Sequence, residues 1–145
     1  MVWFSWKKPY VARLLFFMLF IWAGCTNMHT SLYSPGSYLE YADFAILPFY
    51  KDFILGFFSQ HITILVFSIA VCQLLIGISM LLKGGIFKVG CWGGILFLLS
   101  ILPLGFGSGS PAPFFWAVGL FLLYRKGTHN FLWEGFRSKR VLVKE

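Results

Sequence analysis

Ile62–Leu82, ITILVFSIAVCQLLIGISMLL, carries no charge over 21 positions and is apolar on every side. A helix of that length, rising 1.5 Å per residue, reaches about 30 Å, the thickness of a bilayer's hydrocarbon core. The stretch therefore reads as a membrane span, and the other segments take their places relative to it. One polar side chain interrupts it near mid-depth, Gln73.

The composition agrees. The chain is 59% hydrophobic and 12% charged, with 18 phenylalanines in 145 residues; soluble domains carry about 25% charged residues. The net charge of +7 would suggest nucleic acid on a soluble protein. Here the basic residues sit at span ends, where they set topology, so no nucleic-acid partner is expected.

On the C-terminal side of the central span, Lys83-Gly84-Gly85 predicts a tight return into a third span, about 86–102. A Gly-, Ser- and Pro-rich linker follows, then a fourth apolar segment at about 113–125. That segment covers only about 17–20 Å as a helix. Either it continues past Arg125 and Lys126 with their side chains reaching the interface, or it is a half-span packed under the linker. Residues 128–145 form a basic tail facing anionic lipid, with Arg137, Lys139, Arg140 and Lys144.

On the N-terminal side, Trp3, Trp6, Lys7 and Lys8 predict an interfacial anchor. A first span at about 10–28 follows, with Arg13 extending its head toward the inner interface. Trp22-Ala23-Gly24-Cys25 also resembles a lipoprotein processing site, but Trp22 occupies a slot that normally takes Leu or a similar aliphatic, so the span reads as retained. Residues 29–61 form a long connection with nine aromatic residues and four charges, Glu40, Asp43, Lys51 and Asp52. Those charges exclude an ordinary span. Asp52–Phe58 reads as a short helix at the outer interface, started by Asp52.

With both termini cytoplasmic, this arrangement places 11 of the 12 basic residues inside and only Lys51 outside. The bias predicts an all-α membrane protein, a four-helix transmembrane bundle with an aromatic-rich outer connection between spans 1 and 2 and both ends in the cytoplasm.

Few residues offer chemistry. An amide at mid-bilayer avoids lipid, so Gln73, one turn from Ala70 and Gly77, predicts an interhelical hydrogen bond or a contact to a quinone, a substrate or a buried water. Gly90 and Gly94 give a Gly-x-x-x-Gly spacing that admits another backbone, in this chain or in a partner. Asp43, Asp52 and His61 are outer-face candidates, but their spacing matches no metal-ligand motif, and no metal is expected. Cys25, Cys72 and Cys91 lie at different depths and predict helix packing rather than a disulfide. No phosphate loop, nucleophile elbow or zinc-protease motif occurs, and no span holds a carboxylate or a histidine.

Three stretches together resemble the DoxX-like family of small bacterial membrane proteins: Arg13 to Gly24 (RLLFFMLFIWAG), Leu47 to Asp52 (LPFYKD) and Gln73 to Gly77 (QLLIG). The resemblance spans about residues 10–125 and implies a four-helix bundle. Arg13, Ala23 and Gly24 match the family's first span, and Leu74 and Gly77 its second; Gln73 stands where the family usually has Glu. The resemblance also implies a link to quinone or thiol redox systems, since the family includes a subunit type of thiosulfate:quinone oxidoreductase. It transfers no active site. The expected function is a non-catalytic accessory or structural subunit of the inner membrane, packing against a membrane-protein partner or a second copy. A quinone-linked redox subunit and a small-molecule carrier are the alternatives.

Overall fold

Small, aromatic and a few polar residues at helical spacing form the inward face of each long helix. In a computed structural model, which describes residues 1–104, 111–127 and 130–134, the buried positions of α2 (Pro9–Tyr33) include Arg13, Phe16, Phe20, Gly24 and Ser31. Those of α5 (Ile62–Ser79) include Ile62, Val66, Ala70, Gln73 and Gly77. Steps of three and four residues keep one narrow stripe facing a partner helix. The two stripes meet antiparallel: a Cβ on Gly24 would touch Leu74, and one on Gly77 would touch Ile21.

The described residues also form the helices α1 (Val2–Lys7), α3 (Tyr41–Phe44), α4 (Pro48–Phe53), α6 (Gly84–Ile101) and α7 (Ala112–Lys126). No strand occurs among the described residues. α6 packs against α5 and α7, and α7 against α6 and α1. The core they enclose holds Phe16, Phe20, Met80, Phe87, Cys91 and Leu120.

Among the described residues three helices are long and apolar enough to cross a membrane: Pro9–Tyr33, Ile62–Ser79 and Gly84–Leu104. Only 28%, 33% and 33% of their apolar windows is buried. The outward faces carry Met18, Trp22, Ile64, Leu75, Val89 and Leu96, all exposed. A helix apolar on both its packed and its open face matches lipid, not water, as its surroundings. α7 has 15 residues, so it falls short of a bilayer crossing on length.

Segment ends differ from the sequence expectation in instructive ways. The helix of the first span runs on past the expected end at 28 to Tyr33, so His29 and Thr30 belong to it rather than to the connection. Asp52 does not start a helix: Pro48 opens α4, where the missing N–H costs nothing, and Asp52 lies near its end. Ile54–Phe58 then forms a π-helical turn with a kink at Gly56. α1 is more than an anchor, because its Ser5 is fully buried and sits against Gly119 of α7. Residues 105–110 of the linker, and 128–129 and 135–145 of the basic tail, lie outside the described residues.

The charged residues sort to two ends. At one end, Lys126 bonds the Trp6 carbonyl, Arg13 reaches the Leu82 and Asn130 carbonyls, and Lys83 lies 4.4 Å from the Phe131 ring centroid. At the other, the connection bearing Glu40, Asp43, Lys51 and Asp52 is tied to the end of α6. There the Ile46 N–H donates to the Pro103 carbonyl at 2.9 Å, and the Tyr50 hydroxyl to the Ser100 carbonyl at 3.1 Å.

Candidate functional site

Gln73 is 1% exposed and projects from α5 onto α2. Ala70 and Gly77 are buried on the same face, so the expected stripe is assembled as a helix–helix seam. The Asn27 amide donates to Gln73 Oε1 at 2.8 Å. Asn27 lies near the end of the expected first span, and its pairing with Gln73 depends on how α2 and α5 align, which the sequence does not state.

The network continues outward. The Tyr38 hydroxyl donates to Asn27 Oδ1 at 2.9 Å. Burial raises the Tyr38 phenol above its ordinary value; a hydrogen bond with Thr30 opposes this and Tyr41 adds to it. The phenol is therefore protonated at neutral pH and available to donate. Tyr38 sits in a 3₁₀ segment, Pro35–Glu40, that folds the connection back along α2. Between that segment, α3 and α2 lies a cavity of about 250 Å³, whose wall includes Asn27, Thr30, Tyr38, Glu40, Tyr41 and Phe44. Neither amide titrates. The Tyr38–Asn27–Gln73 chain thus links the cavity wall to the seam through hydrogen bonds without a titrating relay.

A second polar centre stands at the other end of the seam. Arg13 is 1% exposed, not extended to an interface. Its Nε donates to the Met80 carbonyl at 2.8 Å and its Nη2 to the Leu82 carbonyl at 2.6 Å. Nη1 donates to the Asn130 carbonyl at 3.2 Å, and the guanidinium lies 4.9 Å from the Phe87 ring centroid. The last carbonyls of a helix have no partner within it. Arg13 supplies donors to that end of α5, and its planar fork reaches several carbonyls at once. Close by, the Leu132 N–H donates to the Leu81 carbonyl at 3.1 Å.

The remaining candidates do not join either centre. Asp43 and Asp52 are exposed. His61 is exposed, stacks on Phe57 at 4.7 Å and has Nδ1 3.1 Å from the Phe57 carbonyl. Among the described residues no three His, Cys, Asp or Glu side chains gather as ion ligands. Gly90 and Gly94 are both used within the chain. A Cβ on Gly90 would collide with Ser79, and one on Gly94 would lie 2.7 Å from Leu120 and 3.1 Å from Phe20. All three cysteines are free; Cys91 is buried in the core, whereas Cys25 and Cys72 are exposed, so the packing role fits Cys91 alone.

No protein-family model, curated protein or solved structure matches the chain.

Proposed function

We propose that this chain is a four-span protein of the bacterial inner membrane, DoxX-like in type, with both termini cytoplasmic and α7 completing the bundle. It acts as an accessory or structural subunit without catalytic activity of its own, packing against a membrane-protein partner or a second copy.

One observation carries the reading. Among the described residues every fully buried side-chain nitrogen or oxygen has a hydrogen-bond partner, and the buried polar groups at the seam bind helices to one another. Arg13 holds the end of α5, and Gln73 is held by Asn27. This supports a scaffold more than a reaction centre. Because Gly90 and Gly94 face inward, a partner would meet the outward apolar faces of α5 and α6. The quinone-linked and carrier alternatives gain less: the Gln73 oxygen is engaged, and Ile21 closes the seam over Gly77.

Purification in mild detergent, with mass spectrometry of co-isolated proteins and lipids, tests the proposal. A stoichiometric membrane-protein partner or a homo-oligomer supports it. A monomer that carries bound quinone overturns it in favour of the redox alternative, and a monomer alone removes its basis.

A further inference from the structure

The geometry points to the cavity at the Tyr33 end of α2 as a binding site for a small organic cation, an alkylated ammonium group, with Glu40 as counter-ion and the Tyr38, Tyr41 and Phe44 rings as its sides. The inference is independent of the subunit reading, since a cation can bind whether or not a partner does.

Size comes first. At about 30 Å³ per water, 250 Å³ has room for roughly eight waters or a ligand with a similar number of heavy atoms. Charge narrows the class. Glu40 is the one charged group among the described residues of the wall, and Asp43 follows it by three residues; no Lys, Arg or His lines the cavity. An anion would lose hydration beside a carboxylate with nothing to replace it, whereas a cation gains an ionic partner.

The aromatic groups favour the same class. Tyr38 and Tyr41 both line the cavity, with ring centroids 6.0 Å apart and planes tilted by 33°. Aromatic faces attract ammonium groups, and alkylated ones most readily because they shed water easily. The hydroxyls of Thr26, Thr30 and Ser37 on the wall offer acceptor oxygens to any N–H the cation carries. Asn27 belongs both to the wall and to the pair with Gln73. An occupant therefore bears on the α2–α5 seam, and binding stabilises the folded chain by mass action.

The test uses the full chain in maltoside detergent, titrated with choline and with 3,3-dimethyl-1-butanol, its uncharged carbon isostere. Choline is expected to give saturable heat and to raise the unfolding temperature, and the isostere to do neither. Glu40→Gln, at an exposed position that should not disturb folding, lowers choline affinity about tenfold or more, the worth of one charge-assisted contact. Tyr41→Leu keeps the apolar volume, removes the ring face and lowers affinity about threefold. Equal binding of the isostere, unchanged affinity in Glu40→Gln, or no saturable binding up to ~100 mM would overturn the assignment. Nanodiscs then separate the sources of the ammonium group. Weaker choline binding in phosphatidylcholine discs than in uncharged, amine-free glycosyldiacylglycerol discs identifies a lipid headgroup as the resident; equal binding in both identifies a free amine.

Discussion

Arg13 sets the energetics of the seam at the level of single residues, because one side chain supplies donors to the Met80, Leu82 and Asn130 carbonyls. Arg13→Met leaves those oxygens short of donors and is expected to destabilise the chain by about 2–4 kcal/mol. Arg13→Lys, a point charge without a fork, recovers about half of that. Denaturant titration in detergent measures both, and faster hydrogen exchange at Leu132 N–H in Arg13→Met reports release of the C-terminal segment. The Asn27–Gln73 bond is worth less: a double-mutant cycle with Asn27→Ala and Gln73→Leu should give a coupling of about 0.6 kcal/mol and no more than ~2. Tyr38 supplies a pH test. Its folded pKa is raised, chiefly by burial, so its contribution is fully present below the ordinary phenol value of about 10. It is lost as pH rises through the folded value. Tyrosinate absorbance should show one residue titrating late, absent in Tyr38→Phe, and that variant should lose less stability in alkali. Gln73 is legible in the sequence because an amide inside an apolar run has to find a partner. Arg13 is misread for a related reason: a cation near a span end has two outlets, the interface or the unpaired carbonyls of a neighbouring helix, and the choice depends on tertiary placement.

Among the helices, close approach is what the sequence encodes most directly. The Gly90/Gly94 spacing announces that something packs tightly there, but cannot say whether the partner is inside or outside the chain; the structure brings Ser79, Leu120 and Phe20 to that face. Gly90→Ala forces a methyl into Ser79, whose hydroxyl is itself bonded to the Ile76 carbonyl at 2.6 Å. The expected loss is about 1–3 kcal/mol, the usual cost of overpacking. Gly93→Ala, one residue from Gly94 but with its nearest neighbour atom at 3.4 Å on Ile76, is the control and should cost less than about 1 kcal/mol, since Ala favours the helix. Adding Ser79→Gly to Gly90→Ala should recover part of the loss, which simple additivity does not allow. The connection between α2 and α5 is less legible. Its aromatic content places it at an interface, and Pro48 marks the start of α4, but the 3₁₀ turn over Asn27 and the ties of Ile46 and Tyr50 to the end of α6 follow from tertiary contacts that no local pattern declares.

For the whole molecule, the gathering of Lys126 with Trp6, Lys83 with Phe131 and Arg13 with Asn130 at one end opposes the acidic connection at the other. Basic residues are retained on the cytoplasmic side, so this polarity makes orientation measurable one position at a time. In a cysteine-free background, Lys83→Cys and Lys126→Cys should react with an impermeant maleimide only from the cytoplasmic side, and Lys51→Cys only from the opposite side. Labelling of Lys51→Cys and Lys83→Cys from the same side would mean that α5 does not cross. Pro111→Cys decides the fourth helix. α7 has 15 residues, about 22 Å at 1.5 Å per residue against the ~30 Å core. A crossing therefore requires local thinning or basic side chains reaching to the interface. Arg125 and Lys126 at its last turn can extend in that way, and packing on α6 and α1 keeps much of its surface from lipid. The expected result is that Pro111→Cys labels with Lys51→Cys and Lys126→Cys from the other face, which gives four crossings. Labelling of Pro111→Cys together with Lys126→Cys would instead make α7 a half-span, leaving three crossings and opposite sides for the two ends of the chain.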